Sequence, residues 1–159
     1  MVEKLKMIWQ DAKQLKDERG LTLVELLVVV VILGIIAAIA VVAIGGIIEN
    51  SKEDALKSDA KQMVSAAKLY VASNDVANGT VLVFAGTPDA TATPKDVDTS
   101  SYIETLKDPY GSSGYSAAGV KVAKSADGNY SYSVYIDGEK NLGTKAAPVA
   151  ETAISSTSL

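Results

Sequence analysis

From Leu26 to Ile48 the chain carries no charged side chain. That run of 23 residues is long enough to cross a bilayer as a slightly tilted helix. No proline interrupts the chain from Leu21 to Ser73, so a helix can run through the apolar stretch and beyond it. One carboxylate, Glu25, stands just ahead of the run, and the next charge is Glu49. A carboxylate inside such a segment costs about 2.5–3.5 kcal/mol on insertion scales. A plain anchor gains nothing from that cost, so Glu25 calls for another reason.

The residues ahead of the run do not read as an ordinary secretory signal. Met1–Gly20 holds Lys4, Lys6, Lys13, Lys16 and Arg19 against Glu3, Asp11, Asp17 and Glu18, a net +1. The apolar segment follows the small residue Gly20 instead of preceding it, so a cut there would leave the helix on the mature chain. Lys and Arg before the segment, against Glu49, Glu53 and Asp54 after it, favour a cytoplasmic N-terminus. Leu5, Ile8, Ala12 and Leu15 recur at helical spacing beside Trp9. That pattern fits an interfacial helix on the inner leaflet, and a solvated, disposable leader fits equally well.

The run Arg19-Gly20-Leu21-Thr22-Leu23-Val24-Glu25 resembles the processing site and N-terminal helix of type IV prepilins, the class of pilins and pseudopilins. The resemblance implies a leader, 1–20, removed by a membrane-embedded prepilin peptidase that cuts between Gly20 and Leu21 and methylates the new amine of Leu21. Leu21 stands where Phe is the more usual family residue. The resemblance also assigns Glu25 to assembly. Many members carry a proline late in the apolar segment, where this chain has Ala40-Val41-Val42. Gly34, Gly45 and Gly46 are then expected to supply whatever flexibility the helix needs.

Beyond Ile48 the pattern changes. Leu56, Ala60, Met63, Ala67 and Tyr70 form one helical stripe, while Asp54, Lys57, Asp59, Lys61 and Lys68 are expected to face elsewhere. Asp75, Asn78 and Gly79 mark the stop. Residues 21–48 are thus the membrane and polymerisation half of the helix, and 49–78 its amphipathic half.

Residues 79–147 read as a small sheet. Val81-Leu82-Val83-Phe84 is a short strand, and the Thr-, Pro- and Asp-rich stretch from Ala85 to Ser101 reads as a loop. Asp108-Pro109-Tyr110-Gly111 is a turn that also resembles the Asp-Pro-aromatic-Gly turn of disulfide-free pilins and major pseudopilins. Val120–Val122 leads to a turn at Asp127-Gly128-Asn129. Tyr130–Ile136 alternates, with Tyr130, Tyr132 and Val134 on one face, and Asp137-Gly138 fits a tight hairpin turn towards Asn141-Leu142. Residues 148–159 are expected to be a loosely ordered tail. The expected fold is α+β, a long N-terminal helix packed on a small antiparallel sheet.

Composition removes several function classes. The 159 residues include no Cys and no His, which excludes disulfides, thiolate chemistry, His-based metal sites and Ser-His catalysis. Net charge −4 argues against the whole molecule being a nucleic-acid surface, although it leaves a nucleic acid partner open. Asp137, Glu139 and Asn141 alternate around the hairpin as weak Ca²⁺ candidates, with an ordinary turn the stronger reading. Asn78-Gly79-Thr80 and Asn129-Tyr130-Ser131 match glycan acceptors, again with plain turns as the stronger reading. No catalytic constellation and no cofactor motif is present, so the chain is not expected to be an enzyme.

The expected function is a structural subunit of a type IV filament, a homopolymer built by packing of N-terminal helices. The resemblance implies three partners besides the membrane: the prepilin peptidase, an assembly platform protein and an ATPase. The precursor is expected to be single-pass in the cytoplasmic membrane with its head outside, and the filament at the cell surface. Two alternatives stand beside this. One is a pseudopilin of a type II secretion or DNA-uptake system; the other is a monomeric membrane-anchored binding domain.

Overall fold

The computed structural model describes residues 2–157; the side chains of residues 12 and 14–21 lie outside that description. Helix α1 covers Val2–Ser73. The chain divides into two compact units, Met1–Ile48 and Glu49–Leu159.

The first unit is helix alone. Its core sequence is rich in Val and Ile, whose branched Cβ makes them mediocre helix formers in water. In hydrocarbon the balance changes, because every backbone N–H and C=O must bond within the segment. Its large apolar side chains stay exposed, from Val28 at 46% to Val42 at 80%. Among the described residues of this unit, nothing covers them.

The second unit holds the sheet and the folded core. Strands β1 (Val81–Ala85), β2 (Val97–Asp98), β3 (Ala117–Lys124), β4 (Tyr130–Asp137) and β5 (Val149–Ala150) follow in chain order. They form one sheet in the order β2-β1-β3-β4-β5. β1 pairs parallel with β2, and every other pairing is antiparallel. The long β3–β4 ladder sets Ala118 opposite Ile136, Val120 opposite Val134 and Val122 opposite Tyr132. These side chains share one face by the two-residue period. Leu82 and Phe84 of β1 join the same core. Against this face lie Leu56, Ala60, Met63, Val64, Ala67 and Val71 of α1, all buried. The expected helical stripe is therefore the buried one, with Tyr70 partly buried at its end. The protein has the α+β arrangement of a long N-terminal helix packed on a five-stranded, mostly antiparallel sheet.

Leu56, Met63, Leu82, Ile136, Leu142 and Ile154 are fully buried. Each is worth about 1.5–3 kcal/mol relative to exposure. At the end of α1, Ser73 Oγ donates to the Leu69 carbonyl and Asn74 Nδ2 to that of Tyr70, satisfying carbonyls that the last turn leaves open.

Three sequence expectations need correction. The stretch 85–101 is not all loop: it contains β2 and a short 3-10 turn, Ser100–Tyr102. Thr99 is fully buried and donates through Oγ1 to the Val83 carbonyl at 3.0 Å, which ties this stretch to β1. The Asp137-Gly138 hairpin is wider than a two-residue turn, because the ladder closes at Ile136 with Leu142. The tail expected to be loose is built into the fold as far as it is described: Val149–Ala150 adds to the sheet edge and Ile154 is buried in the core, while residues 158 and 159 lie outside the described residues. Asp59 lies off the buried stripe, as expected, and is half-covered. Its Oδ2 accepts a hydrogen bond from Tyr115 Oη at 2.6 Å.

Candidate functional site

The segment that carries Gly20, Leu21 and Glu25, the residues expected to act in processing and assembly, is continuous helix. The backbone runs helically through Gly20 and Leu21, whose side chains lie outside the described residues. Glu25 is exposed on that helix, four residues past Leu21 and hence on the same face. A chain beginning at Leu21 would start its helix there. Its amine and its first unpaired N–H groups would form a positive end within reach of the Glu25 carboxylate. Gly34, Gly45 and Gly46 sit in α1 without breaking it. A Cβ built at any of the three meets nothing within 4 Å. Packing inside the subunit therefore does not require these glycines.

The weaker candidates fall elsewhere. Asp137, Glu139 and Asn141 share the connection after β4, but Asn141 Oδ1 already accepts the Gly138 N–H at 3.2 Å. Among the described residues no group of three or more acidic side chains is placed to hold a metal ion. The two glycan-acceptor motifs differ. Asn78 Oδ1 accepts the Lys124 N–H at 3.0 Å and Thr80 is buried, so that motif is built into the fold. Asn129 is exposed at the tip between β3 and β4.

Three polar arrangements escaped the sequence reading. The first centres on Asp108, which is 5% exposed. Its Oδ1 accepts the Tyr110 N–H at 2.8 Å and its Oδ2 the Glu139 N–H at 2.7 Å, joining two loops 31 residues apart. Gly138 makes this possible, since a Cβ there would run into that same carboxylate and press on the Tyr115 ring at 3.1 Å. The Asp-Pro-Tyr-Gly turn is thus a fastening point, and its Asp was the available signal. The second is the Asp59–Tyr115 bond between α1 and the loop before β3. Burial raises the Asp59 carboxyl above its usual range, with the Tyr115 hydrogen bond opposing. Burial and the facing carboxylate push the Tyr115 phenol well up. No sequence spacing points to this pair.

The third lies at the start of the second unit. Lys140 Nζ donates to Glu49 Oε1 at 2.9 Å. The ammonium groups of Lys52 and Lys140 lie 5.4 and 5.0 Å from the centre of the Tyr110 ring. The Lys140 hydrogen bond holds the Glu49 carboxyl below its usual range. Both charges are solvated, so the pair guides geometry more than it adds stability.

Comparison with known proteins covers both units. Residues 15–41 match the prokaryotic N-terminal methylation motif, a stretch that includes Gly20, Leu21, Glu25 and Gly34. The chain is 32% identical over 102 residues to the type II secretion system core protein G of Pseudomonas aeruginosa. That alignment covers 62% of this chain and 72% of the relative. No solved structure matches the chain. The motif match implies processing by a prepilin peptidase and polymerisation, and the uncovered apolar helix implies anchoring in a membrane. With its motif, its long apolar helix and its relative in agreement, the chain belongs to the type IV pilin and pseudopilin family and is a type IV filament subunit.

Proposed function

We propose that the chain is made as a single-pass precursor, cut between Gly20 and Leu21, methylated on the Leu21 amine, and assembled through residues 21–48. The observation that carries this is the uncharged run 26–48, uncovered within its own unit and preceded by the lone acid Glu25. Such a helix is matched equally well by lipid before assembly and by copies of itself afterwards. A helical fibre needs a heterologous contact that never closes. Glu25 sets the step of that contact. The new amine and the carboxylate are each costly in the apolar layer, and pairing offsets part of both costs. Pairing between neighbours fixes the axial register.

The second unit lies outside the cytoplasmic membrane in this reading, supported by the basic leader and the acidic residues from Glu49 onward. A platform protein and a cytoplasmic ATPase drive assembly. The subunit itself has a structural role and no catalytic one. A pseudopilin is the second reading, and the likeness to a type II secretion core protein favours it over a DNA-uptake subunit.

The test joins processing to assembly. Mass spectrometry of sheared fibres should find subunits beginning at methylated Leu21. Gly20→Val should leave the leader on and stop assembly. Glu25→Ala should be inserted and cut normally, yet accumulate unassembled in the membrane. Normal fibres from Glu25→Ala would sink the pairing mechanism. Fibres confined to overproducing cells, with none on the wild-type surface, would favour the pseudopilin reading.

A further inference from the structure

The face of the sheet opposite the Leu56–Val71 stripe is not bare. Val83, Gly119 and Tyr135 stand side by side on it, since Val83 pairs with Gly119 and Gly119 with Tyr135. Ala117 and Asp137, two residues along each strand, pair on the same side. After β4 the chain returns over this face. Gly143 bends it with a φ of +67°, and a Cβ there would press on Val149 at 3.1 Å. Lys145 then reaches towards β2, where its Nζ donates to Asp96 Oδ2 at 2.6 Å. The Asp96 side chain is 1% exposed, so the strap 141–145 is tied to a buried group. Beside the strap lies a hollow of about 220 Å³. Val83, Ala85 and Ala117 line it, and the two small alanines leave the room. Thr87, Tyr135, Asp137, Asn141 and Thr144 supply its polar groups.

We propose that this hollow binds the end residue of a neutral glycan. The proposal lies wholly within the second unit and holds whether or not the chain polymerises. The hollow is on the scale of a single sugar ring, below the ~300–1,000 Å³ of sites for drug-sized ligands. Its polar groups are complementary to neighbouring hydroxyls. The exposed Asp137 carboxylate has no hydrogen bond or ion pair among the described residues, so it is free to accept. Asn141 Oδ1 is taken by the Gly138 N–H, which leaves the Nδ2 protons to donate. Thr144 Oγ1 accepts the Ala147 N–H at 3.1 Å and keeps its own proton to give. Val83 and the alanines offer apolar surface to the C–H side of a ring. Charge removes the other ligand classes. Asp137 repels an anion, and the Lys145 ammonium is already matched by Asp96. A calcium ion needs six to eight oxygens, whereas this hollow has one carboxylate and an ammonium at its wall.

The test uses the full chain in a detergent without a sugar head. Saturation transfer from protein to sugar protons is measured by NMR for glucose, galactose and mannose at about 10 mM, tenfold above an expected Kd of ~1 mM. The disaccharides maltose, lactose and mannobiose present the same three sugars at a chain end. At least one sugar should receive saturation, and the disaccharide ending in it should bind equally well. Asp137→Ala should weaken binding about tenfold or more with the melting temperature unchanged, because that carboxylate holds nothing in the fold. Ala117→Leu fills the hollow and should abolish binding. Absence of transfer to all three sugars would overturn the proposal. Full binding by both variants would overturn it too, by placing the sugar elsewhere. Binding of a single sugar but not of its disaccharide would overturn the glycan-end assignment. Displacement of the bound sugar by calcium chloride, and not by sodium chloride of equal ionic strength, would assign the hollow to a cation instead.

Discussion

Helix α1 belongs to two units that solve the same problem in opposite ways. Between Leu26 and Ile48 it is apolar on every side and exposes its side chains. Between Leu56 and Val71 it is apolar along one stripe and buries that stripe against its own sheet. Both halves have apolar surface to cover. The difference in pattern shows where the cover comes from. A one-sided stripe is matched by a partner encoded in the same chain. An all-round apolar surface is matched by a medium, lipid or an array of identical helices.

The most severe way to break this comparison is to put a charge into the second half. Met63 is fully buried against the sheet, so Met63→Asp should cost about 4 kcal/mol or more. The detergent-solubilised chain should lose its cooperative thermal transition, while remaining anchored. A retained transition would refute the stripe-on-sheet packing.

A smaller effect is expected at Asp59, where the second half is tied by a polar bond. The folded-state pKa is raised, so the folded protein holds this proton more tightly than the unfolded chain. Its contribution is therefore fully present below the ordinary carboxylate range and is lost as pH rises through the raised value. Asp59→Asn keeps an acceptor for Tyr115 and removes the titration. The melting-temperature gain of Asp59→Asn over the parent should grow as pH rises from about 4 towards neutrality. A gain independent of pH would place the origin of the shift elsewhere.

The gentlest probe lies in the first half. Ile36 is 57% exposed, and Ile36→Ala should leave the melting of the second unit unchanged within about 0.5 kcal/mol. Fibre yield, measured after shearing, should still drop, because the lost contact lies between copies. An altered melting temperature with unaltered yield would invert the comparison.

Most of the fold could be read from the sequence wherever a period lasted long enough. The stripe from Leu56 to Tyr70 spans four turns, and Tyr130–Ile136 alternates over seven residues. Both gave the right element and the right face. β2 and β5 are two residues each, too short for any period, and they form because neighbouring strands offer them hydrogen bonds. The burial of Ile154 has the same origin: a single apolar residue in a Ser- and Thr-rich stretch becomes core only once the sheet exists. Tyr115 and Asp59 are 56 residues apart, and no local pattern pairs them. The residues proposed for processing and assembly stand out in the sequence for a different reason. Gly20, Leu21 and Glu25 break or bound the hydropathy of the segment, and such breaks show in one dimension.

The two-residue edge strands carry a consequence for a protein that must exist at extreme local concentration. A long bare strand at a sheet edge is a template for adding further strands from any neighbour. Here the outermost strands are only Val97–Asp98 and Val149–Ala150, each laid against the middle of a longer strand, so neither edge is a long straight ladder. Pro94 stands close before the first edge and Pro148 directly before the second, each lacking the N–H that a lengthening ladder would need. Packed side by side, such domains have little edge through which to zip into amyloid-like ribbons. Crowding of folded second units then does not by itself turn them into a continuous sheet.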